Sequence, residues 1–149
     1  MHKVYVAGNY NNKVILQVLA EWLVTNYKVE IVSSWLYEHE FVSLKHHAER
    51  DLMDIEECDI VVMTTGRLGT SSELGFAIGK GKKIVFFTDE MTKPNIYTSN
   101  MQKGFENVFM GVFEYYGTND VDVDSPYIIA QGLEQLRGTL ENHFKVEPN

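Results

Sequence analysis

Glu73 is the side chain whose type and position are best suited to chemistry. It follows a glycine-punctuated loop, Gly66-Arg67-Leu68-Gly69, which separates an apolar run at Ile60–Thr64 from a helical pattern. This order predicts a strand, a loop and a helix with Glu73 in its first turn. In a parallel α/β sheet, the carboxyl end of a strand and the amino end of the next helix face one crevice where ligands bind. We therefore expect Glu73 to lie in that crevice, where an ionised carboxylate can attack an electrophilic sugar carbon.

The same residues also allow a structural interpretation. Thr70-x-x-Glu73 matches the capping box, in which the glutamate folds back onto the amide of the N-cap residue. A carboxylate in the first turn of a helix is stabilised as the anion by roughly 0.3–1 kcal/mol in either case. Gly66 and Gly69 would let a substrate approach the backbone closely. The residues alone leave both interpretations open.

Asp51 and Asp54 are the other acids of interest. They lie one helical turn apart on the polar side of an amphipathic segment. A solvated helix face accounts for Asp54 without any chemistry. Cys58 is expected to pack as a small hydrophobe, because no cation in the sequence is placed to lower the pKa of its thiol.

Metal and dinucleotide sites are not predicted. His46 and His47 are adjacent and should point to different faces of an exposed helix, with no third ligand spaced for zinc. The acidic loop at Asn119–Ser125 lacks the spacing of a calcium-binding EF-hand. No G-x-G-x-x-G follows the first predicted strand, which argues against NAD.

Composition limits the classes of protein that fit. The chain has 149 residues, which predicts one domain over residues 1–149. A formal net charge of −8 argues against a nucleic acid polymer as partner. The single cysteine fits a reducing compartment, and no apolar run is long enough to span a bilayer. Together with the absence of a signal-peptide pattern, these features predict a cytoplasmic protein without a membrane contact.

Strand-like and helical patterns alternate along the chain. Five strands are predicted, at Val4–Ala7, Val29–Val32, Ile60–Thr64, Lys83–Thr88 and Val108–Tyr115. Four helical segments are predicted: one from Lys13, one over Glu38–Glu57, one over Thr70–Lys80, and one through Ile129, Leu133, Leu136, Leu140 and Phe144. This alternation predicts an α/β, Rossmann-like fold, with a mostly parallel five-stranded sheet and helices on both faces.

Several short segments between about Val4 and Asn107 carry a resemblance to a known family. They are Tyr5-Val6-Ala7-Gly8, Trp35-Leu36, Glu49-Arg50-Asp51-Leu52, Cys58-Asp59-Ile60-Val61-Val62, and Gly69 with Glu73-Leu74-Gly75-Phe76-Ala77 and Gly81-Lys82. The run beginning at Glu73 is the most specific. These segments resemble the nucleoside 2-deoxyribosyltransferase family, which includes the 2′-deoxynucleoside 5′-phosphate N-hydrolases.

The resemblance implies a flavodoxin-like fold and cleavage of the bond between the sugar C1′ and the base. By that resemblance Glu73 is the nucleophile, and Asp51 contacts the base and helps it leave. Tyr5 and Gly8 would line the sugar pocket, and Tyr10 would pack against the base. No cofactor is implied.

The resemblance also implies an assembly of at least two subunits that share an active site. Ser99-Asn100-Met101 resembles a segment that reaches into the neighbouring subunit's site, and a serine at the Ser99 position binds phosphate in the monophosphate hydrolases. A homodimer or higher homo-oligomer is therefore expected.

The departures from the family pattern bear on the substrate. Arg67 stands where the hydrolases have a second phosphate-binding serine, and Asn11 stands where they have an arginine, with Lys13 nearby. An arginine fork at Arg67 suits the lost phosphate contact. We therefore expect hydrolysis of a small nucleoside 5′-monophosphate. Transfer of deoxyribose between bases and a non-catalytic nucleotide sensor are the alternatives. An FMN-binding protein is disfavoured by the lack of a Ser/Thr-rich loop after the first strand.

Overall fold

The computed structural model describes residues 1–64, 66, 68–88 and 126–149. Its strands are β1 His2–Ala7, β2 Val29–Ile31, β3 Ile60–Met63, β4 Lys83–Thr88 and β5 Tyr127–Gln131. Its helices are α1 Lys13–Asn26, α2 Leu44–Glu57, α3 Leu68–Gly79 and α4 Gly132–Gly138, which continues as a π-helical segment at Thr139–His143. Short 3-10 turns lie at Tyr10–Asn12 and Ser34–Leu36.

The described strands form one parallel sheet in the order β2-β1-β3-β4-β5. From β1 the chain moves outward to β2 on one side and then to β3, β4 and β5 on the other. The strand order therefore reverses between β1 and β3, where Val4 pairs with both Ile31 and Ile60. Such a switch point opens a crevice beyond the carboxyl ends of the two strands. This confirms the predicted α/β fold with helices on both faces.

Alternate residues of the buried strands build two cores, one on each face of the sheet. In β1, Val4 and Val6 face the core shared with α1 and α4, whereas Tyr5 and Ala7 face the core shared with α2 and α3. Helix α1 contributes four fully or nearly buried residues one turn apart: Leu16, Leu19, Ala20 and Leu23. Helix α3 packs through Leu74 and Ala77. The Tyr5 side chain therefore lies on the face of the sheet that α2 and α3 cover.

The C-terminal part of the prediction needs correction. Ile129 lies in β5, not in the C-terminal helix, and α4 begins only at Gly132. The run Tyr127-Ile-Ile-Ala favours a strand because β-branched residues pack well on a pleated surface. Gly132 then turns the chain directly into the helix with φ of +81°. The predicted strand at Val108–Tyr115 and the acidic loop at Asn119–Ser125 lie outside the described residues.

Helix α3 begins earlier than its sequence pattern suggests. It starts at Leu68, so Thr70 is the third residue of the helix instead of its N-cap, and Glu73 lies in the second turn. The Thr70 hydroxyl donates to the Gly8 carbonyl at 3.1 Å. The capping-box interpretation is therefore wrong. The predicted stop at Gly81 is confirmed, because this residue has φ of +69° and its amide donates to the Ile78 carbonyl.

Helix α2 is shorter than predicted and begins after Ser43, whose hydroxyl accepts from the His46 amide at 3.0 Å. Of its predicted apolar stripe only Ile55 is buried, whereas Leu44 is 81% exposed. The residues between the 3-10 turn and Ser43 instead form a wall beside the crevice. None of the helices in the described part of the chain has the length and apolarity needed to cross a membrane.

Candidate active site

A cavity of about 590 Å³ lies at the switch point between β1 and β3. Three parts of the chain line it: the loop after β1, the wall from Trp35 to His47 with the adjoining turn of α2, and the start of α3. Its side chains include both acids singled out from the sequence, Asp51 and Glu73. The volume suits a ligand of nucleotide size.

Tyr5 fixes the carboxylate of Glu73. The Tyr5 side chain is fully buried below the cavity, and its hydroxyl donates to Glu73 Oε1 at 3.2 Å. Burial raises the pKa of Glu73 to about 8, with a further contribution from the charge of Asp51, while the Tyr5 hydrogen bond acts in the opposite direction. Burial and the nearby acids also raise the pKa of Tyr5 well above its usual value, so its hydroxyl remains a donor.

These pKa values correct the expectation of an anion held by a helix terminus. Because α3 begins at Leu68, Glu73 lies beyond the unpaired amides of the first turn. Burial and a second carboxylate then favour its neutral form. At neutral pH Glu73 therefore holds a proton in this arrangement.

Asp51 enters the cavity from α2. Burial raises its pKa, and a hydrogen bond from Arg50 Nη2 to Asp51 Oδ1, 3.1 Å long, acts against this shift. Asp51 and Glu73 repel each other when both are charged. Ionisation of either carboxyl group therefore opposes ionisation of the other. Such a pair can supply one nucleophile and one acid.

Gly8, after β1, and Thr70, in the first turn of α3, lie side by side in the lining of the cavity and are joined by a hydrogen bond. A Cβ atom on Gly8 would overlap Thr64 Oγ1 and lie 2.7 Å from Leu16 Cδ1, so close packing requires glycine there. A Cβ atom on Gly66 would likewise overlap the Thr70 side chain. Gly69, by contrast, borders the cavity and has open space beside it. Only Gly69 therefore offers the close ligand approach that the sequence suggested for the glycines before Glu73.

Planar side chains line the wall formed by residues 35–47, and a further aromatic ring lies at the mouth of the cavity. The Trp35 indole donates to the Val6 carbonyl at 2.9 Å, which fixes the ring at the end of β1. Phe41 and His47 stack with their ring centroids 5.2 Å apart. Tyr10 lies at the mouth and is 71% exposed. These rings give a flat ligand several faces on which to stack.

Glu38 joins several basic side chains in the same wall. Its carboxylate contacts Arg50 Nη1 and lies 3.5 Å from both His46 Nε2 and His47 Nδ1. The prediction of two exposed histidines on different faces is therefore wrong for His47, which is partly buried and lines the cavity. Among the described residues, no three His, Cys, Asp or Glu side chains form a group that could hold a metal ion.

Most of the predicted site residues come together. Five of them line the cavity: Gly8, Tyr10, Asp51, Gly69 and Glu73. Tyr5 lies beneath it and reaches it through Glu73. The remaining four predicted residues, Arg67, Ser99, Asn100 and Met101, lie outside the described part of the chain.

Sequence reasoning assigned no role at the site to Trp35, Glu38, Arg50 or Thr70. A contact between Arg50 and Asp51 could have been predicted, because the two residues are adjacent in the sequence. No sequence signal pointed to Glu38, because it lies in an irregular segment twelve residues before its arginine partner. Cys58, by contrast, is buried as predicted, and burial raises the pKa of its thiol to about 12. The reason given for it was wrong, because Lys82 lies close enough to act in the lowering direction.

Comparison with known proteins places the chain in a family. The sequence profile of the SLOG cluster4 family matches residues 30–110, more than half of the chain. The chain therefore belongs to the SLOG cluster4 family. This profile is not that of the nucleoside 2-deoxyribosyltransferases, so the finer resemblance remains a prediction. No curated protein sequence matches the chain significantly.

The fold is shared with a solved structure. The structure of the Clostridium botulinum CMP N-glycosidase BcmB is 21% identical to this chain, covers 90% of this chain and 92% of its own, and has a TM-score of 0.53. At this identity the likeness shows a common fold. Translation elongation factor SelB from Methanococcus maripaludis, bound to a GTP analogue, matches at 8% identity over 97% of this chain and 32% of its own. Its TM-score of 0.49 carries no functional information.

Proposed function

We propose that this protein cleaves the N-glycosidic bond of a nucleoside or, preferentially, a nucleoside 5′-monophosphate, with Glu73 as nucleophile and Asp51 as proton donor. The observation that carries the proposal is that these two acids line one cavity at the switch point of the sheet, with Glu73 held by Tyr5. The fold shared with a CMP N-glycosidase supports the same reaction class.

In the first step a Glu73 oxygen bonds to C1′ as the bond from C1′ to the base nitrogen breaks. The electron pair of that bond goes to the base, and Asp51 donates the proton that neutralises it. The product is a glycosyl ester of Glu73, as in a retaining glycosidase. In the second step water attacks C1′, Asp51 accepts a proton from that water, and the Glu73 carboxylate is released.

In the proposed mechanism Asp51 and Glu73 hold one proton between them before the first step. The reactive form has the proton on Asp51 and the charge on Glu73, although burial favours a proton on Glu73. Positive charge that develops at C1′ in the transition state stabilises an ionised Glu73 directly beside it. Reaction therefore requires one proton in the pair, and base release should fall as pH rises through the value of about 8 at which Glu73 loses its proton.

The preference for a monophosphate draws on polar groups at the cavity mouth. Asn11 and Lys13 both line the cavity on the β1 side. The predicted phosphate contacts of Arg67 and Ser99 would add to them, as would a second subunit that contributes Ser99-Asn100-Met101. On this proposal the protein acts as a homodimer or larger homo-oligomer, with residues 1–149 as one domain.

Chromatography of reactions with deoxynucleosides, ribonucleosides and their 5′-monophosphates tests the proposal. Free base should appear with the wild-type protein, and Asp51→Asn should slow its release by about 10²–10⁴-fold. Asp54→Asn is the matched control, because Asp54 lies one turn along α2 and accepts from the Ser34 amide outside the cavity. Equal losses in the two variants would contradict the role of Asp51.

Covalent trapping tests the nucleophile. A 2′-fluoro nucleotide should leave a sugar-sized mass increment on the peptide that contains Glu73, and Glu73→Ala should abolish both the increment and base release. Added acceptor base separates transfer from hydrolysis, because a transferase would form a new nucleoside. Tight nucleotide binding without base release from any substrate would overturn the enzymatic proposal in favour of a sensor.

A further inference from the structure

Arg50 lies between two carboxylates, and only one of them belongs to the proposed catalytic pair. Arg50 Nη2 donates to Asp51 Oδ1 at 3.1 Å, and Arg50 Nη1 contacts Glu38 Oε2. We propose that Glu38 is a positioning residue that divides the charge of Arg50 between two carboxylates and so allows Asp51 to deliver a proton to the departing base. The catalytic consequence of this inference rests on the proposed function.

The partial burial of these three side chains strengthens the interactions between their charges. The side chains of Arg50, Glu38 and Asp51 are only 17%, 22% and 22% exposed. Charges partly removed from water interact more strongly than charges on an open surface. A guanidinium group carries a planar fork of donors that can serve two carboxylates at once. Glu38 therefore competes directly with Asp51 for Arg50.

Two histidines hold Glu38 in this position. The Val42 amide donates to His47 Nε2 at 3.1 Å, so in neutral His47 the ring proton lies on Nδ1, which faces Glu38 Oε2 at 3.5 Å. His46 Nε2 lies 3.5 Å from the other oxygen, Oε1. The two rings thus lie against the two oxygens of the carboxylate, and Glu38 Oε2 is buried without a hydrogen-bond partner among the described residues. Glu38 is thus held on the Arg50 side by groups that do not contact Asp51 directly.

If the Glu38 carboxylate is removed, Asp51 should become the single carboxylate that pairs with Arg50. Arg50, Asp54 and His47 from α2 act on the pKa of Asp51. The charge of Asp51 in turn raises the pKa values of Glu73 from α3 and Tyr5 from β1. Of the groups that act on Asp51, Arg50 has the largest lowering effect, and burial opposes it. An arginine that pairs with a single carboxylate lowers the pKa of that carboxylate by about 1–3 pH units. Without Glu38, Asp51 should therefore lose its proton at lower pH.

Titration of the Asp51 carboxyl carbon by ¹³C NMR tests this without turnover. The full chain is labelled at aspartate, and the Asp51 signal is assigned by its loss in Asp51→Asn. Glu38→Gln should lower the midpoint for Asp51 by about 1 pH unit. Glu40→Gln is the matched control, since Glu40 lines the same cavity but forms no ion pair among the described residues. An unmoved midpoint in Glu38→Gln, or an equal fall in Glu40→Gln, would overturn the inference.

A double-variant comparison separates an effect through Arg50 from one through space. Arg50→Gln should raise the Asp51 midpoint, because it removes the hydrogen bond and the positive charge together. In the Arg50→Gln background, Glu38→Gln should cause no further fall. A fall of the same size as in the wild-type background would show that Glu38 acts directly on Asp51 and would overturn the positioning role. If Glu38→Gln does not fold, Glu38→Asp keeps the charge and should retain a midpoint near that of the wild type.

Activity supplies a separate result. If the wild-type protein releases base, Glu38→Gln should slow that release at pH values below the descending limb, by about tenfold for each pH unit of the shift measured by NMR, because the form with the proton on Asp51 becomes rarer. Absence of base release from the wild-type protein would contradict the proposed function while the titration still decides the role of Glu38. A titration shift without any change in the pH–rate profile would contradict the catalytic consequence.

Discussion

The charged groups at the amino end of the parallel sheet differ from Glu73 at its carboxyl end. At the amino end, charged groups have partners near solvent: Lys3 Nζ lies 2.6 Å from Glu57 Oε1, and Lys80 Nζ lies 3.2 Å from Glu56 Oε1. Lys82 Nζ at this end donates to two backbone carbonyls. At the carboxyl end, Glu73 is partly buried beside a second acid and has no cation partner among the described residues.

The difference concerns stability: the ion pairs at the amino end are compatible with the folded state, whereas the ionised form of Glu73 destabilises it. Exposed ion pairs contribute little to stability but cause no strain. A carboxylate removed from water without a cation opposes folding whenever it is ionised. Groups with strongly perturbed pKa values cluster at functional sites, so the unfavourable end is the better candidate for chemistry.

The largest effect should come from Glu73→Gln. The pKa of Glu73 is about 8 in the folded chain and 4.5 in the unfolded one, so between these values the native state binds more protons. Wild-type stability should therefore fall as pH rises through this window, and the variant should gain roughly 2–4 kcal/mol over the wild type above about pH 8.5. Urea unfolding at acid and alkaline pH measures both trends. A variant less stable than the wild type at alkaline pH would remove the contrast between the two ends.

Glycines at the two ends should differ for a steric reason. Gly8→Ala at the carboxyl end should cost about 1–3 kcal/mol, because its Cβ would overlap Thr64 and press on Leu16. Gly81→Ala at the amino end meets no atom within 4 Å and should cost about 1–2 kcal/mol through its positive φ alone. Gly69→Ala, with open space beside it, serves as the control for folding. Thermal unfolding of the three variants ranks their losses of stability. A Gly8→Ala variant as stable as the wild type would contradict the close packing at Gly8.

A smaller effect should follow from Tyr5→Phe. The variant removes the hydroxyl that donates to Glu73 Oε1, so the pKa of Glu73 should rise further and the ionised nucleophile should become rarer. We expect kcat/KM for base release to fall about tenfold, as for the loss of one hydrogen bond to a charged group. The control is Tyr10→Phe, since no hydrogen bond of that hydroxyl is present among the described residues. Unchanged kinetics in Tyr5→Phe would show that Glu73 needs no support from β1.

The smallest effect should come from Glu57→Gln. This change removes the partner of Lys3 at the amino end, where both side chains are well exposed. The ion pair raises the pKa of Lys3, but water and salt screen such contacts. Urea unfolding should therefore show almost no change at either pH used for Glu73→Gln. A loss as large as the gain predicted for Glu73→Gln would show that both ends depend equally on their charges.

Local patterns in the sequence were sufficient for the fold and for the position of Glu73 beside the crevice, whereas Asp51 was chosen from the family resemblance. Apolar runs located β1 to β4, and the strand-loop-helix order placed Glu73 at the crevice. They failed where a distant contact decides the structure. The start of α3 was misjudged because Thr70 resembles an N-cap but donates to Gly8, 62 residues away in sequence. Residue Ile129 fitted a helical period, yet pairing with β4 places it in a strand.

The hydrogen bond from Thr70 to the Gly8 carbonyl has a consequence for how the cleft can evolve. It ties the first turn of α3 to the loop after β1, which belong to different crossovers, so the base of the cleft is preset as one platform. The opposite side, around Glu38, owes its shape to side-chain charges in an irregular stretch. Substitutions on that side should therefore alter which ligands fit without disturbing the platform that carries Glu73.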